Sequence, residues 1–485
     1  MLLRAMDLLN RLIGTVRRDI GSLRDRNSFA RNALYTFSDA AVNIGSQLIL
    51  TPVIARIYGP AAYGVYGLFT SITSSMASLG TLGYTAAFVL PREERDFLAL
   101  FRAAGTLLIG LAVLSLPLFL FPSVLYAVFP SFSVMGSWCM LVPWMTVVLG
   151  GTQMMAAWVM RAKDFAFFAK VGPSTTLGLR GLILTFFVTR TVVLGLLNKG
   201  ASWGLLVGDL VVRSAAAVWY LLHLRRFGLA RLFQRGERAP VVATALAYRH
   251  YPLFNFPAQW LTELSLSLPV YALTALNDPT AVGRFTLAGS LLLMPLRLFG
   301  YSLSSVFIRK ATDLQRDDPA ALALFVQRMY VRFRFIGLLP FIGLMFFGDV
   351  IFRLVLGGEW TVAGAYCGVM GPFYLFRLLS EPVASIYNAK RQERALFLFG
   401  ASLFTANVLG LAAAYHWAGT PVAIIATFAG INALAYLYQS ASILARAGAA
   451  WARLTFNTVI AVLATATLLA TLRLLLLGSW WPALY

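Results

Sequence analysis

Long apolar stretches separated by short polar connections recur along the whole chain. An α-helix needs about 20 such residues to cross a hydrocarbon core of about 30 Å. The pattern predicts spans at residues 32–56, 63–90, 98–121, 133–158, 168–193, 202–224, 250–274, 282–308, 329–352, 363–387, 396–415 and 421–444. Residues 455–477 are long enough for a thirteenth span, although Arg473 lies near its end, so totals of 12, 13 or 14 stay open.

Composition strengthens this interpretation. Of 485 residues, 59% are hydrophobic and 12% charged, and the mean hydropathy is +0.75. A water-soluble protein of this composition would expose far too much apolar surface. We therefore predict an all-α polytopic membrane protein that has no room for a sizeable soluble domain.

Basic residues are concentrated on alternate connections, which hold 30 of the 40 Lys and Arg residues. The intervening connections, such as "YGPAAYG" and "NDPTAVG", carry almost none. By the positive-inside rule, this pattern predicts a cytoplasmic N-terminus. The net charge of +21 then reflects topology and attraction to anionic membrane lipids, and no nucleic-acid partner is expected.

The N-terminal segment, residues 1–31, lacks the uninterrupted apolar core of a secretory signal. Its apolar residues step by four and three from Leu2 to Leu23, opposite Arg4, Arg11 and Arg18. This spacing predicts an interfacial helix on the cytoplasmic leaflet, with a short coiled-coil contact as the alternative.

An internal repeat relates the two halves of the chain. "GPAAYGVYGLF" (59–69) and "DPTAVGRFTLA" (278–288) align without gaps, and each lies between the first two helices of a six-helix half. An even number of helices per half makes the repeats parallel. We expect two pseudo-symmetric lobes, residues 32–224 and 250–444, around a central cavity, joined by a basic linker at 225–249 and followed by an extra span within 445–485.

Motifs for catalysis or nucleotide binding are absent from the sequence: there is no GxxxxGK[ST], HExxH, CxxC or GxSxG. Three His and two Cys lie on separate segments, too scattered for a metal site or a catalytic triad. We therefore expect no cofactor, no metal and no enzyme activity. Energy would come from an ion gradient or from the gradient of the substrate itself.

Charged residues inside the spans are the most informative ones, because each costs about 3 kcal/mol if it faces lipid. They should face a cavity or one another. The acids are Asp39, Asp209, Glu263 and Glu381, and the bases are Arg180, Arg213, Arg297 and Arg377. Asp209 with Arg213 and Arg377 with Glu381 are i,i+4 pairs that can neutralise each other, so a purely structural role stays open for those four.

Two prolines inside the predicted spans are close in sequence to charged residues. Pro295 precedes Arg297 by two residues, Pro382 follows Glu381, and each should bend its helix by removing a backbone hydrogen bond. Bent helices beside charges are tolerated mainly next to protein or water. Both sites should therefore point inward, where an arginine fork suits phosphate oxygens.

Several stretches resemble the polysaccharide transporter family of the MOP superfamily, the Wzx-type flippases for lipid-linked oligosaccharides. They are "IYGPAAYGVYGLFTSI", "LGYTAAFVLPREE", "YRHYPLFNFPAQWL", "VGRFTLAGSLLLMPLRLFGYSLSSVF" and "VLGGEWTVAGAY", and the resemblance covers residues 30–445. One departure is Thr85, where the family often has an acid. The resemblance implies alternating access by two lobes that move a polyprenyl-(pyro)phosphate-linked oligosaccharide across the bacterial inner membrane for surface polysaccharide synthesis.

Roles follow as hypotheses. Arg297, Arg180, Arg377 and Arg213 are candidates for holding the phosphate head group, and Trp260, Tyr251 and Phe254 for stacking on sugars, although aromatic residues more commonly pack or face lipid. Asp39, Glu263, Glu381 and Asp209 are candidates for coupling to protons or sodium ions. The family also implies a polysaccharide polymerase and glycosyltransferases as partners.

Two other classes remain open. A cation-coupled multidrug exporter shares the superfamily, and a cavity dominated by carboxylates would favour it. A membrane polymerase or ligase would be expected to carry a sizeable external domain, but every external connection is short.

Overall fold

The computed structural model describes residues 29–188, 202–233, 241–297, 318–384, 386–389 and 392–479, with residues 311, 314, 315, 481 and 482. Side chains are described from residue 42 onward, apart from a few later positions. The predicted interfacial helix therefore lies almost wholly outside the described residues. Asp39 lies on a described helix, but its side chain is outside the described ones.

The described residues form sixteen α-helices with short tighter or wider helical turns between them, and no strand occurs among them. The helices are α1 Phe29–Thr81, α2 Tyr84–Ala87, α3 Glu94–Leu120, α4 Pro122–Val128, α5 Val142–Arg161, α6 Phe165–Val188, α7 Trp203–Leu224, α8 Val241–Ala247, α9 Phe256–Ala275, α10 Pro279–Pro295, α11 Pro319–Leu356, α12 Thr361–Ser380, α13 Ile386–Ala389, α14 Glu393–Trp417, α15 Pro421–Arg446 and α16 Trp451–Leu477.

Each of the thirteen predicted spans overlaps one of these helices, and residues 189–193 and 298–308 of two of the spans lie outside the described residues. Within the described residues, nine helical segments are long and apolar enough to cross a membrane. One of them, Val42–Thr81, contains most of the first two predicted spans, which are separated by a break at Gly59. Gly59 has a φ of 69°, a left-handed conformation that favours glycine. The predicted turn between the first two spans is therefore confirmed.

The second half is built around α12, whose most apolar stretch is 83% buried. It packs against α10, α11 and α15. Helix α16, by contrast, is only 6% buried over the corresponding stretch and packs on the outside of α11 and α15. The extra span is therefore a peripheral helix with a large apolar surface, as expected of a helix that faces lipid.

Helix α16 is nevertheless fixed by charge. Both terminal nitrogens of Arg473 donate to the carboxylate of Asp349 on α11, at 2.8 and 2.7 Å, and Arg473 Nη1 also donates to the carbonyl of Phe346. The arginine side chain is 4% exposed and the aspartate side chain 10%. This buried pair neutralises the arginine that the sequence places near the end of the span, although Arg473 Nε has no hydrogen-bond partner among the described residues.

The two copies of the repeated motif touch each other. A Cβ added at Gly64 would lie 1.9 Å from the carbonyl oxygen of Pro279, and one added at Gly283 would lie 1.7 Å from the carbonyl oxygen of Pro60. The two contacts mirror each other across the halves, as pseudo-symmetry requires. We call this end of the bundle the far end, and the end with Arg92, Arg161 and Arg225 the basic end.

Candidate functional site

Arg180 and Arg297, from opposite halves, are close enough to interact electrostatically. Arg180 lies on α6 in the first half, and it interacts electrostatically with Tyr63 and Tyr66 on α1 and with Arg297. Arg297 belongs to the second half, where it follows the end of α10 at Pro295 and is exposed. The chain continues beyond Pro295 in a wider helical turn at residues 296 and 297, and the bend at Pro295 stays a prediction. Arg180 Nη1 is buried and has no hydrogen-bond partner among the described residues.

Two guanidinium groups that interact repel each other, and Arg297 has a further interaction besides the one with Arg180. A buried guanidinium nitrogen without a partner is costly in the same way. The arrangement therefore fits an anionic guest better than an empty protein interior.

Asp209 and Arg213 form the predicted pair on α7. Arg213 Nε donates to Asp209 Oδ1 at 2.7 Å, the Asp209 side chain is fully buried, and the Arg213 side chain is 40% exposed. Both line a cavity of about 240 Å³ inside the first half, between α5, α6 and α7, whose other polar lining groups include Thr152, Thr175 and Thr176. Tyr66 interacts with both members of the pair.

Arg377 and Glu381 form the other predicted pair, with 2.7 Å between Arg377 Nε and Glu381 Oε1. Arg377 is buried within the second half, and its guanidinium carbon lies 5.9 Å from the ring centre of Tyr436. Helix α12 ends at Ser380, and a tighter turn, Glu381–Val383, follows, so the predicted break at Pro382 is confirmed. This setting supports the structural interpretation of the pair.

Trp260 and Glu263 line a cavity of about 550 Å³ at the basic end. The cavity lies between the halves, because Ser78, Thr85 and Gln153 come from the first half and Gln259 comes from the second. Ser78 Oγ donates to Glu263 Oε2 at 3.1 Å, and Trp260 Nε1 donates to the carbonyl of Ser75 at 3.2 Å. Among the described residues that line it, Glu263 alone carries a charge.

The two inter-half sites lie at different depths. Phe168 lines the basic-end cavity, and Arg180 follows it by 12 residues along α6. At 1.5 Å per residue, Arg180 lies roughly 18 Å further toward the far end along α6.

Three contacts made by charged side chains were not predicted from the sequence. Asp349 was not recognised as a charge inside a span, and its partner Arg473 lies 124 residues away on another helix. At the far end, Arg56 Nη2 donates to the carbonyl of Leu354 at 2.9 Å, and Arg284 Nε donates to the carbonyl of Glu359 at 3.3 Å. The available signal was an unpaired charge near the end of an apolar span.

No protein-family model matches the sequence, and no curated protein matches it. Several solved structures have a similar fold. Over 91% of this chain and 92% of the other, the fold is similar to the lipid II flippase MurJ in an inward closed conformation, with a TM-score of 0.62 and 12% identity.

An inward-facing multidrug resistance MATE transporter of the MOP superfamily gives a TM-score of 0.54 at 14% identity, covering 86% of this chain and 94% of the other. A MOP superfamily transporter from Pyrococcus furiosus, described by the reversed polarity of its binding pocket, gives 0.51 at 15% identity, covering 88% and 98%. At these identities the likeness shows the fold. The chain is a multi-pass, all-α membrane protein with the two-lobed fold of MOP superfamily transporters, as the sequence predicted.

Proposed function

We propose that this protein is a flippase for a polyprenyl-(pyro)phosphate-linked oligosaccharide, working by alternating access of its two halves in a bacterial inner membrane. The observation that carries the proposal is the meeting of Arg180 and Arg297 from opposite halves, with a buried donor of Arg180 left without a partner among the described residues. A phosphate head group supplies an acceptor oxygen for that donor of Arg180.

The motion of the halves gives this pair its mechanistic role. A head group held by one arginine from each half links the halves, so the substrate itself favours the conformation in which both arginines reach it. We propose that the basic end faces the cytoplasm, where the positive-inside rule puts the Arg-rich connections. The substrate would then enter from the inner leaflet and leave toward the far end for surface polysaccharide synthesis.

Coupling is proposed to use a buried carboxylate. Asp209 is the best placed candidate, because it is fully buried beside a cavity. Its partner Arg213 has a 40% exposed side chain and can turn from Asp209 to another partner. Glu263 and Glu381 remain candidates, as does Asp39. Transport that continues after both proton and sodium gradients are collapsed would remove all four from this role.

The head-group assignment is tested by Arg297→Ala and Arg180→Ala at normal membrane abundance. Each should reduce the appearance of lipid-linked oligosaccharide on the outer leaflet by about tenfold or more, which corresponds to the loss of a charge-assisted contact. Arg328→Ala removes an exposed arginine from α11 and is the matched control. Unchanged flipping in both site variants would show that the arginines do not hold the head group.

A second function, cation-coupled export of drugs, is favoured by one observation. The basic-end cavity contains Glu263, Trp260 and Phe256 but no basic side chain among the described lining residues, which suits an organic cation. Deletion of the protein separates the two functions. Accumulation of a lipid-linked glycan on the inner leaflet supports the flippase, whereas lost efflux of ethidium with normal glycan supports the exporter.

A further inference from the structure

The basic-end cavity has one aromatic wall that is already fixed in place. The indole of Trp260 is held by its hydrogen bond to the carbonyl of Ser75, and it stacks on Phe256 with 5.9 Å between ring centres and 28° between planes. A ring anchored on two sides offers a flat face whose orientation costs little entropy on binding. Flat apolar faces of this kind suit the C–H faces of pyranose rings.

Around this wall lie side chains that hydrogen-bond to neutral hydroxyl and amide groups. Gln153 comes from α5, Gln259 from α9, and Ser78, Thr81 and Thr85 from the end of α1 and from α2. An apolar pocket with a few convergent polar groups is the usual form of a small-ligand site. Amides and hydroxyls from both halves would contact different edges of one sugar.

Charge sets the selectivity of this cavity. Glu263 lies one helical turn after Trp260 on α9, and no Lys, Arg or His lines the cavity among the described residues. A carboxylate without a cation beside it accepts hydrogen bonds from sugar hydroxyls but repels a second carboxylate. Arg180 lies roughly 18 Å beyond the lining residue Phe168 along α6, and Arg297 is not among the residues that line the cavity.

We propose that this cavity selects the glycan by charge: it binds a neutral hexose or an N-acetylhexosamine against Trp260, and Glu263 excludes a hexuronic acid from the same place. This inference rests on the proposed flippase function and adds to it a substrate class. The phosphate end and the sugar end of the substrate are thereby recognised by side chains of opposite charge in the same region between the halves.

The test uses the full-length protein in lipid nanodiscs and two fluorescent polyprenyl diphosphate disaccharides that differ in one sugar, N-acetylglucosamine or glucuronic acid. Binding of each probe is measured for wild type and for a charge series. Glu263→Gln removes the negative charge at nearly constant shape, and Thr85→Asp adds a second carboxylate to the same cavity. Trp260→Ala removes the aromatic wall and leaves the charge.

Wild type should prefer the N-acetylglucosamine probe by at least about tenfold, because juxtaposed like charges are strongly unfavourable at a desolvated site. Glu263→Gln should bring the two affinities together, and Thr85→Asp should widen the preference. Trp260→Ala should weaken both probes while leaving their ratio unchanged.

Equal affinity of wild type for both probes, or one constant ratio across the charge series, would overturn the inference while leaving the flippase function standing. A different outcome would contradict the proposed flippase function itself. If neither probe binds and tetraphenylphosphonium does, the proposed function itself falls, and the charge selection of a glycan falls with it.

Discussion

The two ends of the bundle hold the halves together by different kinds of contact. At the far end, backbone meets backbone: Gly64 lies against Pro279, and Gly283 lies against Pro60. At the basic end, side chains bridge a cavity of about 550 Å³, through Ser78 to Glu263 and through Trp260 to the carbonyl of Ser75. The backbone contact at the far end cannot loosen gradually. The side-chain contacts at the basic end can change by rotation of side chains.

The far end has further supports. Trp360 Nε1 donates to the carbonyl of Ala55 at 3.1 Å, and its ring meets Tyr63 edge to face with 5.3 Å between centres. Packed backbone tends to have discrete arrangements, so this end should separate as a unit and not by gradual widening. Opening the far end should therefore require a larger rearrangement than opening the basic end.

The largest effect is expected at the buried pair that fixes α16 to α11 near the far end. Arg473→Ala leaves the carboxylate of Asp349 buried without its cation, and removal of one partner from such a pair costs about 3–5 kcal/mol of folding free energy. Thermal unfolding of the purified protein measures the loss. Arg453→Ala, which removes an exposed arginine from the same helix, should change stability little.

A compensated variant separates charge from packing at this pair. Arg473→Met combined with Asp349→Leu removes both charges and should recover most of the lost stability, because replacing a buried ion pair by apolar groups is often close to neutral. If the double variant were as unstable as the single one, the cost would come from lost packing.

A smaller but more specific effect is expected from Gly64→Ala and Gly283→Ala. The added methyl group would overlap a carbonyl oxygen of the other half, and backbone cannot give way as a flexible side chain does. Overpacking of this kind typically costs about 1–3 kcal/mol. We expect this strain to separate the halves at the far end, and thus to bias the protein away from the closed arrangement.

Accessibility measures that bias. Ser290→Cys lies two turns beyond Gly283 on α10, and the native Cys139 and Cys367 are buried. Reaction of this cysteine with a membrane-impermeant maleimide should accelerate in both glycine variants. Gly45→Ala is the matched control on α1, because its added Cβ meets nothing within 4 Å. Equal acceleration in the control would show that the effect is not specific to the contact.

The sequence predicts contacts between residues that are close in the chain, but not contacts between the two halves. The span pattern and the two i,i+4 pairs were predictable, since both depend on residues close in the chain. The repeat predicted that Gly64 and Gly283 hold corresponding positions, but not that each lies against the other half. That contact, like the pairing of Asp349 with Arg473 across 124 residues, depends on how helices assemble. The closeness of Arg180 to Arg297 belongs to the same class, because only the fold sets their distance.

The smallest effect is expected at the basic end, from Ser78→Ala. The hydrogen bond to Glu263 faces the cavity, where water can replace the hydroxyl, so stability should change by less than about 0.5 kcal/mol. Removal of this bridge should still loosen the contact between α1 and α9. Labelling of Thr85→Cys, which lies in the cavity wall, should therefore become faster, while labelling of Ser290→Cys on α10 should not change. A stability loss as large as that of Gly64→Ala would mean that the basic end is held as rigidly as the far end, and the difference between the two ends would disappear.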